Sequence, residues 1–167
     1  MKRQMTADQA LSRLQALCSA SEQCSFDLVQ KLRRWKLSAD IADKIIRLLE
    51  EQRFVDDERF ARAYTRHAYR FSKWGKAKIS AALAAKHIPR EIISEVIEEE
   101  IDPEEYHSIA KSILTAKARS LCIPSSYENR VRLYRFMASR GFETHLISRL
   151  LTDVLNEIST DDDQSVD

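Results

Sequence analysis

Apolar residues recur along this chain at helical spacing, and the recurrence itself repeats. Leu28, Leu32, Leu37, Ile41, Ile45 and Ile46 form one set. A shift of 51 residues lands on Ile79, Leu83, Ile88, Ile92, Val96 and Ile97, and a further shift of 54 lands on Leu133, Met137, Phe142, Leu146, Leu150 and Leu151. One such window is weak evidence for structure, but three in register are strong. Each set spells two helices. The first shows its core face at i and i+4, and five residues further an apolar residue opens the next. The breaks are Trp35-Lys36-Leu37-Ser38, Lys86-His87-Ile88-Pro89 and Arg140-Gly141-Phe142. Ser38 suits an N-cap, Pro89 a first helical turn and Gly141 a C′ position.

Another helix precedes each pair. Val55-Asp56 leads to Phe60 and Ile101-Asp102 to Tyr106, so Asp56 and Asp102 read as N-caps with a hydrophobic staple between N′ and N4. Pro103 then falls at N1, and Glu105 at N3 completes a capping box. Thr6 with Gln9 is a weaker version, and Ser125 with Glu128 after Pro124 caps a further start. The expected organisation is nine helices in three triplets: repeats at 1–53, 54–101 and 102–158, then a disordered acidic tail at 159–167. A unit of this size buries little surface alone, so stacked neighbours are expected. The fold class is all-α, with three tandem three-helix repeats forming an elongated, curved helical solenoid.

Composition agrees with that picture. Two glycines and three prolines in 167 residues are too few for a chain of many tight β-turns. No apolar run follows Met1-Lys2-Arg3 as a signal peptide requires, and no stretch is long enough to span a bilayer. Cys18, Cys24 and Cys122 are odd in number and lack CxxC spacing, which suits reduced thiols in a cytoplasmic protein.

Charge changes the picture more. The net charge is +1, yet the signs come in blocks. Residues 59–90 sum to +9 with no acid, 91–105 to −8 with no base, 106–149 to +6 and 150–167 to −6. At 100° per residue, Arg59, Arg62, Arg66, Arg70 and Lys73 fall within about 80° of one another. Phe60, Tyr64, Ala68 and Phe71 form a separate apolar stripe. Like charges at i,i+3 and i,i+4 repel, and no acid lies inside the run to offset them, so the row reads as a surface for an acidic partner. A solvated helix face is the plainer reading of any such run. Lys76 and Lys78 extend the row, Lys31, Arg33 and Arg34 add to it in the first triplet, and Arg130, Arg132, Arg135 and Arg140 in the third. Trp35 and Trp74 lie beside these cations, placed to stack on a base, enter a partner's pocket or pack a loop.

Catalytic chemistry finds no support. GxSxG, P-loop, Rossmann and HExxH patterns are absent. His67, His87, His107 and His145 are scattered rather than spaced for a metal, and the carboxylates run together as in Glu98-Glu99-Glu100. The expectation is a binding protein, not an enzyme, without cofactor or metal.

The run Phe54-Val55-Asp56-Asp57-Glu58-Arg59-Phe60-Ala61-Arg62-Ala63-Tyr64, followed by Trp74-Gly75-Lys76-Ala77-Lys78-Ile79, resembles the signature of the RecX family of bacterial RecA regulators. Its characteristic positions here are Asp56, Asp57, Phe60, Ala61, Gly75 and Ile79, with Arg59 among them. The resemblance extends from about Ala10 to Leu155. Where a glycine commonly precedes the third helix of a triplet, this chain keeps only Gly141 and has Lys36 and His87 instead. The resemblance implies a cytoplasmic monomer that binds the RecA–DNA filament and damps strand exchange, ATP hydrolysis and the SOS co-protease activity. Single- or double-stranded DNA is a further contact. The alternative is a sequence-independent DNA-binding module of helix-turn-helix type, although no helix clusters Asn, Gln and Arg for base edges.

Small-angle scattering checks the expected architecture. A three-repeat strip gives a radius of gyration above the ~15 Å of a compact body this long, and a compact sphere contradicts it.

Overall fold

In the computed structural model, which describes residues 5–121 and 126–164, every regular element among the described residues is a helix. The first triplet is α1 (Ala7–Ala20), α2 (Ser25–Arg34) and α3 (Ala39–Glu51). The second is α4 (Asp57–Arg70), α5 (Lys76–Ala84) and α6 (Arg90–Glu100), and the third is α7 (Pro103–Ser120), α8 (Tyr127–Ser139) and α9 (Thr144–Gln164). None of the eighteen repeat positions is exposed. Leu37, Ile41, Ile92 and Ile97 are half-buried and the others are buried. The period that places them on one face is therefore the period that builds the cores.

Helix starts follow from local chemistry. Thr6 and Gln9 form the full capping box of α1. Asp102 accepts the Glu105 amide at 2.7 Å, with Pro103 in the first turn of α7. The Glu105 carboxylate, however, does not complete a box, because Tyr69 and Arg70 hold it. Ser126 caps α8 by accepting the Asn129 amide, while Pro124, Ser125 and Cys122 lie outside the described residues. Ser38 precedes α3 in extended conformation without a side-chain cap bond. Helix α9 continues to Gln164, so residues 159–164 are helical where a disordered tail was expected; 165–167 lie outside the described residues.

The turn inside each helix pair is the same device three times. After α2, the Leu37 amide bonds the Leu32 carbonyl and the Lys36 amide bonds the Arg33 carbonyl. After α5 the pairs are Ile88 to Leu83 and His87 to Ala84, and after α8 they are Phe142 to Met137 and Gly141 to Ala138. These are Schellman motifs, which need a left-handed residue at C′. Lys36, His87 and Gly141 supply it with φ of 61°, 60° and 86°. Lysine and histidine thus occupy the conformation that glycine adopts without strain.

Contacts divide the chain into two compact units. The first comprises residues up to Tyr64 with Leu83–Val96, and the second Thr65–Ala82 with residues from Ile97 onward. Helices α4, α5 and α6 each belong partly to one and partly to the other. In the first unit, Ala10 and Leu14 of α1, Leu28 and Leu32 of α2 and Ala42, Ile45, Ile46 and Leu49 of α3 share one core. In the second, α7, α8 and α9 pack on one another, burying Leu114, Leu133, Met137, Ile147 and Leu150 completely.

Stability measurements can check these roles. Lys36→Gly relieves a left-handed strain of about 1–2 kcal/mol and loses part of it to the freer unfolded chain, for a net gain of up to about 1 kcal/mol in urea unfolding. His87→Gly gains less, because the His87 ring lies 4.4 Å from the Phe26 ring. Phe60→Ala, at a ring 8 % exposed, costs roughly 3–5 kcal/mol in the same measurement.

Candidate functional site

Helix α4 is positioned at its start by two adjacent aspartates with different tasks. Asp56 caps α4 itself, accepting the Arg59 amide at 2.9 Å. Asp57 reaches the start of α2 instead, where its carboxylate takes the Ser25 amide at 2.7 Å and the Ser25 hydroxyl at 2.6 Å. One side chain thus caps a helix 32 residues away. Phe60 and Ala61 are buried, and the Phe60 and Tyr64 ring centroids are 5.6 Å apart. Ala68 is buried as expected, but Phe71 is 72 % exposed. It follows the last residue of α4, so the 100° projection no longer applies there, and its ring lies 5.2 Å from the His67 ring. Tyr69, fully buried, holds the core position that the stripe assigned to Phe71.

The arginines of α4 all meet carboxylates. In the first unit, Arg59 Nε donates to Glu22 Oε1 at 2.7 Å, and its terminal nitrogen bonds the Arg53 and Phe54 carbonyls. Arg62 pairs with Glu58 one turn back at 2.8 Å and with Glu95 at 3.5 Å. In the second unit, Arg66 pairs with Glu100 at 2.6 Å, and Arg70 spans both oxygens of Glu105 at 3.0–3.1 Å. The Tyr69 hydroxyl donates to Glu105 at 2.8 Å. The Arg70 and Tyr69 hydrogen bonds hold the Glu105 carboxyl below its usual range, while burial and the carboxylate raise the Tyr69 phenol. The row therefore has counter-charge, against the expectation drawn from residues 59–90 alone. Glu58 stands just before that window, and the other acids come from 33 or more positions away in sequence.

These pairs are not equal. Glu22 keeps one oxygen buried and unpartnered, and Arg59 ties it to two backbone carbonyls, so Arg59 is a clasp between loops. The Arg62–Glu58 pair is an i,i+4 surface pair, worth roughly 0.3–0.5 kcal/mol. Arg59, Arg66 and Arg70 are alike in exposure, at 42 %, 45 % and 43 % of their side chains, but their partners differ: Glu105 is 40 % exposed, Glu22 34 % and Glu100 15 %.

Beyond α4, Lys73 is half-buried in a left-handed turn at φ 56°. The Lys76 ammonium lies 5.2 Å from the Tyr106 ring centroid and the Lys78 ammonium 4.4 Å from that of Trp74. Trp74 is thus engaged by a cation, as Trp35 is by Arg13 at 6.0 Å. Arg33 and Arg34 are exposed at the end of α2, and Arg130, Arg132 and Arg135 are exposed on α8. The Arg140 guanidinium sits 5.0 Å from the Phe136 ring.

Gly75 fixes where Lys76 and Lys78 lie. A Cβ on Gly75 would meet the Gly141 carbonyl carbon at 2.2 Å, because two backbones cross there. The Gly75 amide donates to the Arg140 carbonyl at 2.8 Å and the Ala77 amide to the Gly141 carbonyl at 3.1 Å. Between them the Lys76 amide donates to the Tyr106 hydroxyl at 2.9 Å, which itself donates to Glu143 at 2.7 Å. The first amides of α5 are thereby satisfied within the second unit, and Ile79 is fully buried one turn on.

Among the described residues, no group of three His, Cys, Asp or Glu side chains could hold a metal, and no helix is long and apolar enough to cross a membrane. Burial pushes the Cys24 thiol up to about 11, far from a reactive thiolate.

Comparisons with known proteins find relatives over most of the chain. The family model described as RecX, second three-helix domain, matches residues 56–97, which hold the paired aspartates, the α4 row and the Gly75 crossing. The Regulatory protein RecX of Chlorobium phaeobacteroides is 29 % identical over 129 residues, covering 77 % of this chain and 82 % of that protein. That of Prosthecochloris aestuarii is 26 % identical over 147 residues, covering 87 % and 93 %. Against the Regulatory protein RecX of Lactobacillus johnsonii, 26 % identical, the match takes in 83 % of this chain and 51 % of the relative. The crystal structure of RecX from Lactobacillus salivarius shares the fold, with a TM-score of 0.76 at 17 % identity over 89 % of this chain and 96 % of that one. A second crystal structure, of a regulatory protein RecX, also gives a TM-score of 0.76, at 20 % identity over 86 % and 70 % of the two chains. Residues 56–97 thus match the second three-helix domain of RecX, and over most of its length the chain is similar in sequence and fold to regulatory proteins RecX.

Proposed function

We propose that this protein binds the RecA–DNA filament and inhibits its recombinase, ATPase and co-protease activities. It does so as a cytoplasmic monomer without catalytic chemistry of its own. The observation that carries this reading is the row Arg62, Arg66, Arg70 on α4, continued by Lys73, Lys76 and Lys78, within the segment that matches the family. A row of cations with half-exposed arginines suits an acidic nucleoprotein, attracts it at long range and weakens with salt. Arg59 has a structural task and is set apart from the contact. Arg130, Arg132 and Arg135, exposed on α8 and without an ion pair among the described residues, support DNA phosphate as a second contact. They are also the feature that favours the alternative, a DNA-binding module acting without RecA.

The test is RecA ATPase on single-stranded DNA, titrated with this protein and with an Arg66→Gln/Arg70→Gln variant. Neutral substitutions are required, since glutamate at these positions would face Glu100 and Glu105. The wild type inhibits, the variant needs about tenfold more protein for the same inhibition, and its melting temperature stays close to that of the wild type. A wild type without effect on RecA, yet binding DNA, would favour the alternative.

A further inference from the structure

The carboxylates on α4 mark where anionic oxygens sit. In the second unit, Glu100 places Oε2 2.6 Å from an Arg66 terminal nitrogen, and Glu105 lies side-on to Arg70 with both oxygens on Nε. A guanidinium presents the same edge to a phosphate as to a carboxylate. Arg66 and Arg70 are one turn apart, about 6 Å along the helix. Phe71 follows directly, 72 % exposed with no core role, and the Trp74–Lys78 pair lies just beyond in the same unit. Guanidinium groups followed in sequence by an exposed aromatic ring, whose ring contact is with His67 at 5.2 Å, suit a strand whose bases are free to stack. An acidic protein surface would use the guanidinium groups but leave the ring idle.

We propose that Arg66 and Arg70 form a two-phosphate site for single-stranded nucleic acid, that Glu100 and Glu105 are its resident anions in the free protein, and that Phe71 stacks on a base of the bound strand. This rests on the proposed filament contact and adds how that contact is opened. Binding exchanges each carboxylate for a phosphate, so the two glutamates compete with the strand. The Glu105 side chain is 40 % exposed, so water receives it readily when displaced, whereas Glu100 is 15 % exposed and leaves Arg66 from a largely covered position. Tyr69 and Lys73 face Glu105 as well, so a carboxylate released from Arg70 retains the Tyr69 hydroxyl and the Lys73 charge.

The experiment is fluorescence anisotropy of a labelled oligo(dT) across a potassium chloride series. Glu100→Gln/Glu105→Gln is expected to bind about three- to tenfold more tightly than wild type, with a log–log salt slope steeper by about 1.4, the contribution of two further unmatched cations. The same charge change at exposed neighbours, Glu98→Gln/Glu104→Gln, controls for net charge and gains less than twofold. Adding Arg66→Gln/Arg70→Gln to the tighter variant removes the gain, and Phe71→Ala weakens binding at least about fivefold without moving the melting temperature. Equal gains in both glutamine pairs, or no gain in the first, overturn the proposal. So does a gain in RecA inhibition alone, which would assign the site to an acidic protein surface. The filament reading is judged separately by ATPase: a tighter oligonucleotide complex with no effect on RecA sinks that reading and leaves this one standing.

Discussion

Arginines on successive turns of one helix repel each other, and such a helix can lie in a folded body only if counter-charge is brought to it. Helix α4 meets that constraint pair by pair, through Glu22, Glu58, Glu95, Glu100 and Glu105. Three of these belong to the acidic block at residues 91–105, so the +9 and −8 segments are partly two sides of one arrangement. Near-neutrality is therefore local rather than an average over distant patches. It also makes α4 a structural helix first, whose cations reach a partner only where their pairs are loose.

What the pattern of residues reveals, and what it hides, divides by distance along the chain. Burial of a helix face needs only a local period, so all eighteen repeat positions are legible from spacing alone. Caps within one turn are equally legible: Thr6 with Gln9, and Asp102 below Glu105. Phe71 is misplaced because the period is carried one residue past the end of α4. The left-handed turns at Lys36 and His87 are hidden for another reason. Neither residue announces a positive φ, and the Schellman bonds that impose it are visible only in the backbone.

The site is legible in composition and not in pairing. A row of arginines can be counted, but the partners of Arg59, Arg66 and Arg70 lie 34 to 37 positions away, where no helical period points. Asp57 is the same case, an acid whose obvious task is the start of its own helix and whose actual task is the start of α2. Gly75 could be picked out only by resemblance. Its reason is a backbone crossing with Gly141 that neither segment encodes alone.

The gradation along α4 then decides which end can do work on a partner. At its start, Arg59 holds two carbonyls and a glutamate whose other oxygen is buried and unpartnered, so releasing it would break three hydrogen bonds at once. At its end, Arg70 holds the 40 % exposed Glu105 while Arg66 holds Glu100, which is 15 % exposed, and the helix dipole favours a cation such as Arg70 in the last turn whether or not the carboxylate stays. A contact made there needs no repacking of a core. On the proposed contact, the same helix fixes the fold through its first turn and exchanges anions through its last, because the ties to backbone carbonyls stop at Arg59 while the row of positive charge runs on.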